Sequence, residues 1–182
     1  MNDLDEEGFF REGLPVWSVD YGIGGQYSRM LLQMSSADEI DAFLMNKSNA
    51  MGLMYCLSKE IPGLIHVAFE IGIPQRLIYF IANTSGERKI LNVDQQNAGT
   101  LLTLLKIFLE SHKVIIGIDD VVQCTQELLN LIGLDIEDEE GDWMNVLAIA
   151  TSFLMKPILN ILCVIAERYI HDLPQLRDST LF

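Results

Sequence analysis

The stretch GLIHVAFEIG, residues 63–72, decides the fold, because it can be read either as a strand or as a short helix. Its apolar run closes on one acidic side chain, Glu70, and Pro62-Gly63 breaks the chain just before it. Periodicity alone does not separate a buried strand from a buried helix in so short a run. Read as a strand over 64–70, it carries a carboxylate to its own end. That is where a metal or a substrate is often met.

The stretch that follows strengthens the β reading. In RLIYFIANTSGERKILNV two β-rich runs flank Asn83-Thr84-Ser85-Gly86, a turn of the kind that joins antiparallel strands. KVIIGI, 113–118, does not alternate, and so reads as a central strand covered on both faces. Helices are expected around these runs. Ser36 and Glu39 form a capping box ahead of Ile40, Phe43 and Leu44, which predicts a helix over about 37–46. Residues 48–59 stay open between helix and strand. AGTLLTLLKIFLE, 98–110, is apolar on almost every side and predicts a buried helix. Further helices are expected near 120–132, with Gly133 as its C-terminal cap, and near 142–153, with Pro157 opening a last one. No internal repeat is apparent. The order suggests an α/β domain, a mixed central sheet with an antiparallel meander and parallel strands, flanked by helices. Residues 1–32, with the turn-like YGIGGQY, read as an acidic N-terminal arm, and 33–182 as the domain.

Composition bounds the function. At 182 residues and 49% hydrophobic content the chain can build a full core. The 12 Lys and Arg against 26 Asp and Glu give a net charge of −14, which opposes binding to a phosphate backbone. The three cysteines, Cys56, Cys124 and Cys163, are scattered and form no metal or disulfide pattern. No signal-peptide pattern opens the chain, and the apolar runs fall short of the roughly 20 residues that span a bilayer. A soluble intracellular protein with no membrane attachment is expected. His66 reads as a core histidine, and His112 and His171 as surface residues at element ends. The run from Asp135 to Asp142 lacks the ligand spacing of an EF-hand and reads as a solvated loop.

The order of elements over roughly 63–180 resembles the 3′–5′ exonuclease domain of the RNase D and Werner-helicase type, in the ribonuclease H-like superfamily. RLIYFIANTSGERKILNV is similar to that family's second and third strands, LLTLLKIFLESHKVIIGIDDVVQCTQELLNLIGLDIED to its next stretch, and DWMNVLAIATSF to the helix after it. The resemblance implies a site of four carboxylates around two divalent cations. Onto its first motif, Asp-x-Glu, fall Ala68, Phe69 and Glu70, so half of the pair is missing. Near the second lie Asp119 and Asp120, at the strand end; the third falls beyond residue 182, whether by nature or by trimming.

The resemblance therefore implies a catalytically inactive pseudo-exonuclease without cofactor, in which Glu70, Asp119 and Asp120 are residual positions of a degenerate metal site. Its function is then protein–protein interaction, as a scaffold or adaptor. Inactive relatives act in RNA localisation and in piRNA or small-RNA silencing, in the cytoplasm or perinuclear granules, with a nuclear setting also open. Two alternatives stand beside it: an active exonuclease using Mg²⁺ or Mn²⁺, and a non-catalytic RNA-binding module. The apolar last helix supplies the expected partner or self-association surface, through Ile158, Leu162, Ile165 and Tyr169.

Overall fold

The computed structural model describes residues 19–84, 86–137 and 141–169. Within them lie eight helices: α1 (Val19–Leu32), α2 (Ala37–Met45), α3 (Lys47–Ser58), α4 (Leu64–Glu70), α5 (Ile73–Ile81), α6 (Gln95–Glu110), α7 (Ile118–Glu137) and α8 (Gly141–Tyr169). The one sheet among the described residues has two strands, β1 (Asn83–Thr84) and β2 (Glu87–Arg88), followed by a 3₁₀ turn over 89–92.

This overturns the α/β expectation and with it the exonuclease resemblance. A ribonuclease H-like fold needs a central sheet, and none is present in the described residues. The stretch 64–70 is helix α4, RLIYFI belongs to helix α5, and 113–117 is a loop ahead of α7. The local reasons are visible. Gly63 (φ 82°) and Gly72 (φ 92°) both sit in the left-handed region that glycine adopts without strain. Each ends one segment and lets a new helix start in a new direction, so that α4 and α5 meet at 61°. Pro74 then occupies the first turn of α5, where its missing N–H costs nothing. The expected turn at 83–86 does carry an antiparallel pairing, Asn83 with Arg88 and Thr84 with Glu87, but it is no longer than that.

Other boundaries shift for similar reasons. Ser36 caps α2 as expected, its Oγ accepting from the Glu39 N–H at 3.2 Å. Gly133 lies inside α7 and ends nothing, and Pro157 lies inside α8, which is continuous from 141 to 169. YGIGGQY is helical within α1. Residues 1–18 of the expected acidic arm lie outside the described residues.

The helices stack as a row of units, each touching its neighbours. In one layer α2 packs on α5 and α5 on α7; in the other, α3 packs on α6 and α6 on α8; α1 packs on α4. Within a layer the helices run parallel. Lys47 at the start of α3 reaches Gln96 at the start of α6, while Leu57 and Ile107, near their ends, share a groove. In the first layer Arg76 of α5 holds Asp41 of α2, and Gln75 at the start of α5 holds Asp120 at the start of α7. Helix pairs or triplets that contact only their neighbours make an α-solenoid. The described residues form a short one: α1–α3, α4–α6, α7–α8.

The sequence carries a matching period that the expectation of no internal repeat overlooked. Asn46-Lys-Ser-Asn49-Ala50, Asp94-Gln-Gln-Asn97-Ala98 and Asp142-Trp-Met-Asn145-Val146 recur at a constant spacing of 48 residues, at the starts of α3, α6 and α8. In the first two the cap geometry is the same: Asn46 Oδ1 accepts from the Asn49 N–H at 3.0 Å, and Asp94 Oδ1 from the Asn97 N–H at 3.1 Å. Gly-Ile likewise opens both α5 (Gly72-Ile73) and α7 (Gly117-Ile118).

The core runs through all three units, from Leu31 and Phe43 through Phe80 and Phe108 to Leu128 and Ile165. Two glycines let α1 close onto it. A Cβ on Gly52 of α3 would lie 1.7 Å from the Tyr27 hydroxyl, and one on Gly24 would lie 2.6 Å from the Ile61 side chain. These contacts also set α1 antiparallel to α3.

Candidate interaction face

The structure disperses the residues of the expected degenerate metal site among helix ends. Glu70 is the exposed last residue of α4. Asp119 and Asp120 lie in the first turn of α7, where negative charge is favoured by the helix dipole. Asp120 Oδ2 accepts from Gln75 Nε2 at 3.0 Å. Among the described residues no group of three or more His, Cys, Asp and Glu side chains could hold a metal ion. His66, expected in the core, is exposed on α4; His112 is exposed in the loop after α6, and His171 lies outside the described residues. The acidic run from Asp135 is split between α7 and α8, with 138–140 outside the described residues.

The residues expected to form a partner surface on the last helix serve the chain's own packing. Ile158 and Ile165 are fully buried, Tyr169 is buried, and Leu162 is half-buried against the core. The Tyr169 hydroxyl donates to the Leu109 carbonyl at 3.2 Å, and Arg168 Nη1 donates to the carbonyls of Leu109 and Ser111, the latter at 2.9 Å. The end of α8 thereby caps the end of α6, supplying donors to carbonyls that a helix C-terminus leaves unpaired.

Helical periodicity places a different set of α8 residues outward. Phe153, Lys156, Asn160, Cys163 and Glu167 recur at steps of three and four, and all are exposed. Phe153 keeps 61% of its surface in solvent. On α3 the outward stripe is Met51, Tyr55 and Ser58; on α6 it holds Thr103, Lys106 and Glu110. Because the three helices are parallel neighbours, these stripes lie side by side on one face.

Two grooves score that face. The first, about 380 Å³, lies between the ends of α3 and α6 and the loop after α6. Its apolar floor is Leu57, Ile61, Ile65 and Ile107, and its rim holds Glu60, Glu110, His112 and Lys113. The second, about 220 Å³, lies between α6 and α8 and is lined by Leu102, Thr103, Lys106, Lys156, Pro157 and Asn160.

Charge divides between the layers. Of the six lysines, Lys47, Lys59, Lys106, Lys113 and Lys156 lie on or beside the α3–α6–α8 face, and Lys89 is set over the Tyr79 ring of α5. The other layer holds Asp38, Glu39 and Asp41 on α2 and Asp119, Asp120 and Glu127 on α7. A cleft of about 480 Å³ opens there between α5 and α7, but its charged groups are each engaged: Arg76 with Asp41, Asp120 with Gln75 and Glu127 with Arg88. Arg76 is bidentate to Asp41 at 2.8 and 2.7 Å, which raises its pKa, and it stacks 4.2 Å from the Tyr79 ring. Glu127 accepts from the buried Arg88 at 2.9 Å. That layer is braced; the lysine-bearing layer presents apolar and cationic side chains outward, with the carboxylates of Glu60, Glu110 and Glu167 among them.

Among the described residues no single helix is long and apolar enough to cross a membrane. No family model, no curated protein and no solved structure matches the chain.

Proposed function

We propose that the chain is a helical-repeat interaction module, a scaffold or adaptor that holds a protein partner along the α3–α6–α8 face. The observation that carries this reading is the alignment of Tyr55, Thr103 and Phe153 on three parallel neighbouring helices, with large apolar side chains exposed beside two grooves. Stacked helical units make extended surfaces that bind partners lengthwise, and exposed apolar side chains rimmed by polar ones mark such surfaces. The proposal keeps a scaffold role but moves it to a different face from the one expected. The nuclease and RNA-silencing settings rested on the exonuclease resemblance and are not carried over. An intracellular setting fits three cysteines that form no disulfide with one another.

The test is site-directed photocrosslinking in extract of the source cells. A photoreactive phenylalanine replaces Thr103 on the face or Gln123 on the opposite layer. A discrete protein adduct is expected from position 103 only, lost when Tyr55→Glu is added. Equal labelling from both positions, or none from 103, overturns the proposal.

A further inference from the structure

The groove between α6 and α8 is unlike the rest of this acidic protein. It brings together two lysines, Lys106 and Lys156, and two neutral hydrogen-bonding side chains, Thr103 and Asn160, and no carboxylate lines it. Pro157 adds to it: a proline within a helix has no N–H to give the carbonyl four residues back, so that of Phe153 lacks its helical donor. From this geometry we infer that the face takes an acidic linear segment of a partner protein, with an Asp or Glu side chain seated between Lys106 and Lys156. The inference rests on the interaction reading above and adds the chemistry of the partner.

Three physical points decide the sign. The net charge of −14 argues for a cationic partner only if distant charges act together. The outward carboxylates of α2 and α7 lie on the far side of the adjacent layer, on the order of 20 Å away, one 8–10 Å axis spacing plus two helix radii. At physiological salt the Debye length is about 8 Å, so the groove feels its own lysines first. The nearest competitor is Glu110, which accepts from Lys106 at 3.0 Å in an exposed i,i+4 pair. Such exposed pairs contribute little and exchange readily for a ligand carboxylate. Lys156 pairs with none of the carboxylates on this face. A linear segment also supplies backbone N–H donors for the Phe153 carbonyl, and its apolar residues can rest beside Phe153.

The experiment uses the whole chain and two fluorescein-labelled twelve-residue peptides, Asp-Ser-Leu repeated four times and Lys-Ser-Leu repeated four times, read by fluorescence anisotropy. The acidic peptide is expected to bind at least tenfold more tightly than the basic one. Lys106→Glu with Lys156→Glu should remove that preference, and Lys106→Gln with Lys156→Gln should weaken acidic binding without changing the thermal midpoint. Tighter binding of the basic peptide, or acidic binding indifferent to both double variants, overturns the inference. Failure here with a Thr103 crosslink intact removes only the partner chemistry; loss of that crosslink removes the interaction reading itself.

Discussion

The side-chain amide of Asn97, in the first turn of α6, donates to the main-chain carbonyl of Met45 at 3.4 Å, at the end of α2 in the preceding unit. It makes a second, longer contact with the Leu44 carbonyl at 3.5 Å, and the residue is 2% exposed. One buried side chain thus closes a helix C-terminus in one unit from the helix N-terminus in the next. At the other end of α6 Arg168 does the same from the following unit. The middle unit is pinned to both neighbours by polar caps as well as by its apolar faces.

Asn97→Asp is therefore expected to be more damaging than Asn97→Ala. The carboxylate cannot donate, and it sets buried negative charge against two carbonyl oxygens. A cost of roughly 2–4 kcal/mol is expected for Asp and about 1–3 kcal/mol for Ala, as lost hydrogen bonds and a buried unpaired group. Urea unfolding midpoints measure both. An Asp variant as stable as the parent would show that the amide does not join the units.

The hairpin between α5 and α6 is held by a second buried polar group. Arg88 Nη1 donates to the Ile81 carbonyl at 2.6 Å and to Glu127 Oε1 at 2.9 Å, tying the end of α5 to α7. Arg88→Ala strands Glu127 at a site only 21% exposed and is expected to cost on the order of 3 kcal/mol. Adding Glu127→Gln to Arg88→Met should recover part of that loss, because the stranded charge is gone. If the double variant is no more stable than Arg88→Met alone, the carboxylate was never the source of the cost.

What could be read from the sequence divides along physical lines. Capped, long or strongly apolar helices were legible: Ser36 announces α2, and the all-round apolar run announces α6. Runs of five to seven residues were not, since 64–70 and 76–81 span no more than about two helical turns, too few to establish a 3.6-residue period against a period of two. Their β-branched content then favours a strand, while Gly63, read only as a break, and Gly72 and Pro74, given no reading, are the devices that start α4 and α5. Once the sheet was assumed, Glu70 and Asp119 looked like remnants of a site; in the helices they are an exposed end and a dipole-favoured first turn. The 48-residue period escaped notice because only cap and first-turn residues repeat, while the second unit carries an extra hairpin. The face proposed for a partner escaped because it needs three helices 48 residues apart, although the bias of lysines toward α3, α6 and α8 was there to be counted.

Gly52 offers a test of the α1 dock. Any side chain there meets the Tyr27 ring, which packs edge-on against Phe43 with centroids 6.1 Å apart. Gly52→Ala would gain helix propensity, about 1 kcal/mol in an open helix. Here the ring must swing away and release that contact, and overpacking of this kind costs roughly 1–3 kcal/mol. The net expectation is destabilisation. Adding Tyr27→Ala should abolish most of the penalty, since the clash is with that side chain. A Gly52→Ala protein more stable than the parent would mean that α1 does not lie on α3 as described.

Cys124 gives the fold a measurable alkaline limit. The thiol is fully buried on α7, and desolvation first, with the nearby Asp120 carboxylate second, pushes its pKa from 9.0 up to about 12. Unfolding returns the group to its ordinary value, so between these two values the unfolded chain releases a proton that the folded chain keeps. Stability is then fully present below pH 9 and falls as pH rises toward 12, by up to roughly 4 kcal/mol at 1.36 kcal/mol per unit. Tyr27 and Tyr169, whose pKa values are also raised by burial, add to the same decline in parent and variant alike. Cys124→Ala leaves a small cavity and should start about 1–2 kcal/mol less stable at pH 7. Its stability should then decline less steeply, so that the two curves converge and cross between pH 9 and 12. Parallel curves from pH 7 to 11 in urea titrations would show that this thiol ionises as readily in the folded chain as outside it.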